Sequence, residues 1–224
     1  NMDFMRVKAA NLQVVMFTSA NPGAGKTFVS SNLAMSIAQT NKKVVLVDVD
    51  IRKGTLSGIF SNSSNRMGLT HYLSGSTDKL DDIIGRSEEY EKLDVIFSGP
   101  VPPNPAELLL SERFDRLITE LRKRYDYIIV DNVPAGMVAD ASIVNRVADL
   151  TIFVVRSGVM DRRQLPELEN MYRQEQLRNM SVILNGVPSD HKGYGYGYGY
   201  GYGYGYGSGN DTHKHTKMSH VRKI

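Results

Sequence analysis

Ala20-Asn21-Pro22-Gly23-Ala24-Gly25-Lys26-Thr27 lies between an apolar run at 13–17 (QVVMF) and a stretch, 27–40, in which Val29, Leu33 and Ile37 recur every four residues with Ala34 and Ala38 beside them. A strand that passes through a glycine-rich turn into a helix is the setting a phosphate-binding loop requires. The eight residues match GxxxxGK[ST], except that Ala20 replaces the first glycine. Glycine lets backbone N–H groups turn inward around phosphate oxygens, and the following helix offers its positive dipole end to the same anion. Lys26 is placed to reach the β- and γ-phosphates of a nucleotide, and the Thr27 hydroxyl to ligate Mg2+. Gly23, Ala24, Gly25, Lys26, Thr27 and Phe28 are therefore the expected nucleotide-binding residues. An ordinary glycine turn is the competing reading, and the strength of the match speaks against it.

Outward from this loop, further short apolar runs recur at 44–47 (VVLV), 95–97, 128–130 (IIV), 152–155 (IFVV) and 182–184 (VIL). They are apolar on both faces, as buried parallel strands must be. Leu110, Phe114, Leu117, Ile118 and Leu121 mark a second helix with one apolar face. Strands alternating with such helices predict an α/β fold, a doubly wound and mostly parallel sheet with helices on both faces. Residues 67–82 and 98–105 read as loop-rich insertions, and because ligands bind at the carboxyl ends of such strands, these insertions are expected to wall the site. One domain over 1–190 and a tail over 191–224 are predicted, with order fading soon after Pro188.

The 224 residues contain no cysteine and no run of 18 apolar residues, and no charged-then-apolar leader opens the chain, so a cytoplasmic, reducing setting is expected. The net charge is +3, and the residues from Asp190 onward, with five Lys or Arg against two Asp, carry all of it. A neutral globular part argues against nucleic acid as its partner, since phosphate neutralisation needs clustered Lys and Arg.

A nucleotide's metal needs an acid at the end of a neighbouring strand, and Asp131 follows 128–130 there, resembling a Walker B aspartate; a helix cap is the bland alternative. In Val45-Leu46-Val47-Asp48-Val49-Asp50-Ile51-Arg52 a strand ends in two aspartates of the same facing. Paired carboxylates repel unless something cationic sits between them. Mg2+ and an incoming hydroxyl can use both, one acid for the ion or its waters and the other to take a proton. A solvated turn is the competing reading.

The tail alternates Gly with Tyr194, Tyr196, Tyr198, Tyr200, Tyr202, Tyr204 and Tyr206. With no aliphatic residue to build a core, it is expected to be disordered and accessible. A sticky low-complexity segment is the alternative. His213, His215 and His220 could suggest a metal site but are expected to do nothing there; Tyr125, Tyr127 and Tyr172 are expected to pack.

ANPGAGKT (20–27), VLVDVDIR (45–52), YDYIIVDNVP (125–134) and SGPVPPNPAELL (98–109) together resemble the bacterial tyrosine kinases of polysaccharide export, over about residues 1–190, and the tyrosine cluster completes the likeness. The resemblance implies an ATP- and Mg2+-dependent autokinase on a phosphate-loop ATPase fold. It assembles as a ring-type homo-oligomer in which the tail of one subunit enters the site of the next, and phosphorylation loosens the ring. It implies a membrane polysaccharide co-polymerase segment or activator protein as partner, a cognate tyrosine phosphatase, and a place at the cytoplasmic face of the inner membrane. By position, Lys26 and Thr27 match the phosphate and metal residues, Asp48 the tyrosine base, Asp50 and Asp131 the metal acids, and Asn185 in LNGV an adenine contact. Either Asp48 or Asp50 could be the base.

Some positions depart from the family. The Glu-x-x-Arg-x-x-Arg helix is missing, the chain being expected to begin just past it at Asn1-Met2-Asp3-Phe4. Asp131-Asn132-Val133-Pro134 replaces the commoner Asp-Thr-Pro-Pro or Asp-Ser-Pro-Pro, and Ala24 stands where Glu is usual. Partition and septum-positioning ATPases, the nucleotide-switched alternative, carry a signature lysine where this chain has Asn21.

Overall fold

The structure, a computed structural model, describes residues 12–60, 67–135 and 140–188, apart from the side chains of 140–142. Seven strands form one sheet in the order β3-β4-β2-β5-β1-β6-β7. They are β1 (Val14–Ser19), β2 (Val44–Asp48), β3 (Ile84–Arg86), β4 (Leu93–Ile96), β5 (Tyr127–Asp131), β6 (Leu150–Arg156) and β7 (Ser181–Asn185). All neighbours run parallel except β3, which pairs antiparallel with β4 at the edge. The helices are α1 (Lys26–Ala38), α2 (Leu69–Leu73), α3 (Leu80–Ile83), α4 (Pro105–Leu110), α5 (Glu112–Arg124), α6 (Asp140–Asn145) and α7 (Leu165–Arg173). The doubly wound α/β expectation holds.

Period-2 alternation divides the core. Val15, Phe17, Val44 and Leu46 face α1, where Ala34, Ile37 and Ala38 meet them. Val14, Met16, Val45 and Val47 face the other way, onto Phe114, Leu117, Ile118 and Leu121 of α5. Each of these α5 side chains is buried to within 3%, a contribution of about 1.5–3 kcal/mol apiece. Both helix layers therefore clamp the central strands and leave only the strand ends free to carry chemistry.

Three expectations are revised. The helix marked by Leu110 is two helices broken at Ser111, whose ψ of 151° is extended; Leu109 is buried and Leu110 is 58% exposed. Residues 67–82 are loop for only about half their length: α2 and the start of α3 take up the rest, and Leu69, Tyr72, Leu73 and Leu80 on them are buried. This segment is pinned to the end of β4 by Leu69 N–H to Phe97 O (2.7 Å) and Thr70 N–H to Ser98 O (3.0 Å). Finally, β7 is not apolar on two buried faces: it is an edge strand, with Val182 and Leu184 more than half exposed.

Candidate active site

The phosphate-binding loop leaves β1 and enters α1 with Gly23 at φ 75° and Gly25 at φ 91°, a region that favours glycine. Gly25 has a second constraint, since a Cβ there would collide with Asn185 Nδ2. That amide donates to Ala24 O at 2.9 Å, and Arg156 Nη1 donates to Gly23 O at 2.9 Å. The ends of β6 and β7 thus grip the loop from outside. At the start of the loop, Asn21 Nδ2 donates to Gln164 Oε1 at 3.0 Å.

Lys26 and Thr27 form the first turn of α1. Burial pushes the Lys26 ammonium below its ordinary range, with Asp131 and Asp50 pulling the other way. Thr27 Oγ1 donates to Asp131 Oδ2 at 2.6 Å, short as charge-assisted O–H···O bonds are. Burial raises the Asp131 pKa against the lowering effect of Thr27 and Lys26. Its other oxygen, Oδ1, is buried without a hydrogen-bond partner.

Asp48 and Asp131 are register partners on adjacent strands. Past β2, Val49 N–H bonds to Asp131 O at 2.9 Å, which extends the pairing into the acidic turn. Asp48 is fully buried. It accepts Asp50 N–H on Oδ1 (3.1 Å) and both Thr55 N–H (2.9 Å) and Leu56 N–H (3.1 Å) on Oδ2. Burial raises its pKa to about 7; the Leu56 N–H opposes the rise, and Asp131 and Asp50 add to it. Asp50 is less buried and accepts Lys53 N–H at 3.2 Å. A carboxyl that ionises near neutrality, fixed by three donors beside the phosphate loop, can act as a proton acceptor.

The structure therefore brings Lys26, Thr27, Asp48, Asp50 and Asp131 to the carboxyl ends of β1, β2 and β5. Asn185 lies against the phosphate loop, while Phe28 is 65% exposed on the first turn of α1. Tyr194 to Tyr206 lie outside the described residues. Among the described residues no three His, Cys, Asp or Glu converge as a ready-made metal cage. The donors that remain, the Thr27 hydroxyl and the orphaned Asp131 Oδ1, fit a hard cation that keeps most of its water and takes few protein ligands, as Mg2+ does. Sequence reasoning missed Thr55, whose hydroxyl lies 3.2 Å from Thr27 Oγ1, and the loop-gripping Arg156; neither stands in a motif.

Residues 12–160 match the family described as AAA domain. The tyrosine-protein kinase CpsD of Streptococcus pneumoniae is 37% identical over 181 residues, covering 81% of this chain and 79% of that protein. The chain belongs to the bacterial tyrosine kinases. A putative tyrosine-protein kinase in the cps region of Klebsiella pneumoniae is 40% identical over 187 residues, 84% of this chain but only 25% of that longer protein. Among solved structures, the kinase domain of the Escherichia coli tyrosine kinase ETK superposes with a TM-score of 0.77 at 36% identity, covering 89% of this chain and 76% of that one. The septum site-determining protein MinD of Pyrococcus horikoshii, solved with Mg-ADP, shares the fold at 22% identity and a TM-score of 0.62. The tyrosine kinase assignment thus prevails over the switch ATPase alternative. Among the described residues no helix of this kinase is long and apolar enough to cross a membrane.

Proposed function

We propose that this bacterial tyrosine kinase uses Mg2+ and ATP to phosphorylate the tyrosines of its own Gly-Tyr tail, acting between subunits of a ring-type homo-oligomer. The observation that carries the reading is the pairing of Asp48 and Asp131 on adjacent strands beside Lys26 and Thr27. Lys26 holds the β- and γ-phosphates against the helix N-terminus, and Asn185, beside the loop at the end of β7, contacts the adenine. Bound at Thr27, Asp131 and Asp50, Mg2+ would neutralise phosphate charge. Asp48 accepts the phenolic proton as the tyrosine oxygen bonds to the γ-phosphorus; the bond to the β,γ-bridging oxygen breaks, and ADP leaves with its electron pair. The Klebsiella pneumoniae relative, described as lying in a cps region, supports a role in capsule or exopolysaccharide production. That role fits a membrane co-polymerase segment or activator as partner at the cytoplasmic face, and a tyrosine phosphatase to reset the tail.

The test is intact mass spectrometry after incubation with ATP and Mg2+, beside Lys26→Met. A ladder of phosphate additions on the parent alone, mapped to Tyr194–Tyr206, is expected. ATP hydrolysis with no ladder, even when an activator segment is supplied, would return the chain to the switch ATPases.

A further inference from the structure

The turn after β2 brings back to the site a residue to which no motif gives a role. Gly54, at φ 63°, closes the turn with its N–H on Asp50 O at 2.8 Å. A Cβ on Gly54 would press to 2.5 Å from Ser98 Oγ, so glycine lets the turn lie this close to Ser98. Thr55 follows with its backbone N–H bound to Asp48 Oδ2 at 2.9 Å. Its exposed side chain places Oγ1 at 3.2 Å from Thr27 Oγ1 and 3.4 Å from Asp131 Oδ2.

Thr27 has one hydroxyl proton, and the 2.6 Å bond commits it to Asp131. The single proton of Thr55 is therefore shared between Thr27 Oγ1 and, at longer range, Asp131 Oδ2, and its lone pairs stay available to the site. One residue thus joins the proton-accepting carboxylate, through its backbone, to the hydroxyl and acid of the ion corner, through its side chain. We propose that Thr55 is a positioning residue of the cation site: its hydroxyl holds the hydration shell of the ion that Thr27 and Asp131 bind. Mg2+ sheds water reluctantly and so depends on groups that orient its waters. Losing such an outer partner typically weakens metal binding 10–100-fold.

The inference rests on the proposed Mg2+-nucleotide reading, and its test separates the two. Binding of a fluorescent ADP to the full chain is followed as Mg2+ is raised, for the parent, Thr55→Val and Thr55→Ser. Thr55→Val keeps shape and N–H but loses the hydroxyl, and is expected to raise half-saturating Mg2+ about tenfold. Its ADP affinity in EDTA should match the parent, which also shows that it is folded, and Thr55→Ser should restore the parent Mg2+ response. An unchanged Mg2+ response in Thr55→Val overturns the proposal, as does an equal loss of ADP affinity with and without Mg2+. A parent with no Mg2+ response at all overturns the proposed function as well.

Discussion

Asp48 is a carboxyl placed where water cannot reach it. Three backbone N–H groups hold its orientation, yet burial still raises its pKa to about 7. The consequence for stability has a definite sign. An aspartyl pKa near 3.9 in the unfolded chain and near 7 in the native state means that the native state binds the proton more tightly. The resulting stabilisation is complete below about pH 4 and is lost as pH rises through 7. Three pKa units correspond to about 4 kcal/mol, so in EDTA the parent should lose on the order of 3–4 kcal/mol between pH 4 and pH 8 relative to Asp48→Asn. Urea unfolding of both proteins across that range measures the difference. Equal slopes would mean that Asp48 is already ionised at pH 4 in the native state. Nothing in VLVDVDIR distinguishes the two acids, and the difference the structure adds is one of burial: Asp48 is enclosed and Asp50 is partly exposed.

At the scale of elements, strands and helices with a full apolar period were legible: 13–17, 44–47, 128–130 and 152–155 all lie within or overlap observed strands. Those that escaped are short and depend on their neighbours. β3 has three residues with a glycine at its centre and exists because β4 offers it an edge. α2 is a five-residue helix whose Leu69, Tyr72 and Leu73 have helical spacing, but the Gly and Ser around them read as loop. Its anchor is a close backbone crossing. A Cβ on Gly68 would overlap Gly99 N and come within 2.8 Å of Phe97 O. Backbone cannot move aside as a side chain can, so Gly68→Ala should cost about 1–3 kcal/mol and displace the segment after β4 that touches the acidic turn. Gly58→Ala, facing open space, should stay within about 0.5 kcal/mol of the parent. Chemical denaturation of the pair distinguishes a steric crossing from a general intolerance of alanine.

On the whole-molecule scale, parallel pairing sets one consequence. Because β1, β2, β5, β6 and β7 run the same way, their carboxyl ends share one rim of the sheet, and the chain leaves β7 at Asn185, the residue that grips the phosphate loop. The described residues run on from there to Pro188, and in sequence Tyr200 is 13 residues beyond Val187. Any 13-residue stretch spans at most about 45 Å when fully extended, and about 20 Å if it behaves as random coil. Its charge is as telling as its reach. The residues from Asp190 onward carry +3, which would complement the proposed acidic site of Asp48, Asp50 and Asp131. Each phosphate adds about −1.5 to −2, so seven bring roughly −10 to −14. The sign reverses, and attraction to an acidic site becomes repulsion. Sedimentation of the parent before and after ATP should show larger species giving way to smaller ones. A variant with all seven tail tyrosines changed to Phe should assemble as the parent does and stay assembled after ATP. If that variant dispersed like the parent, tail charge would not be what separates the subunits.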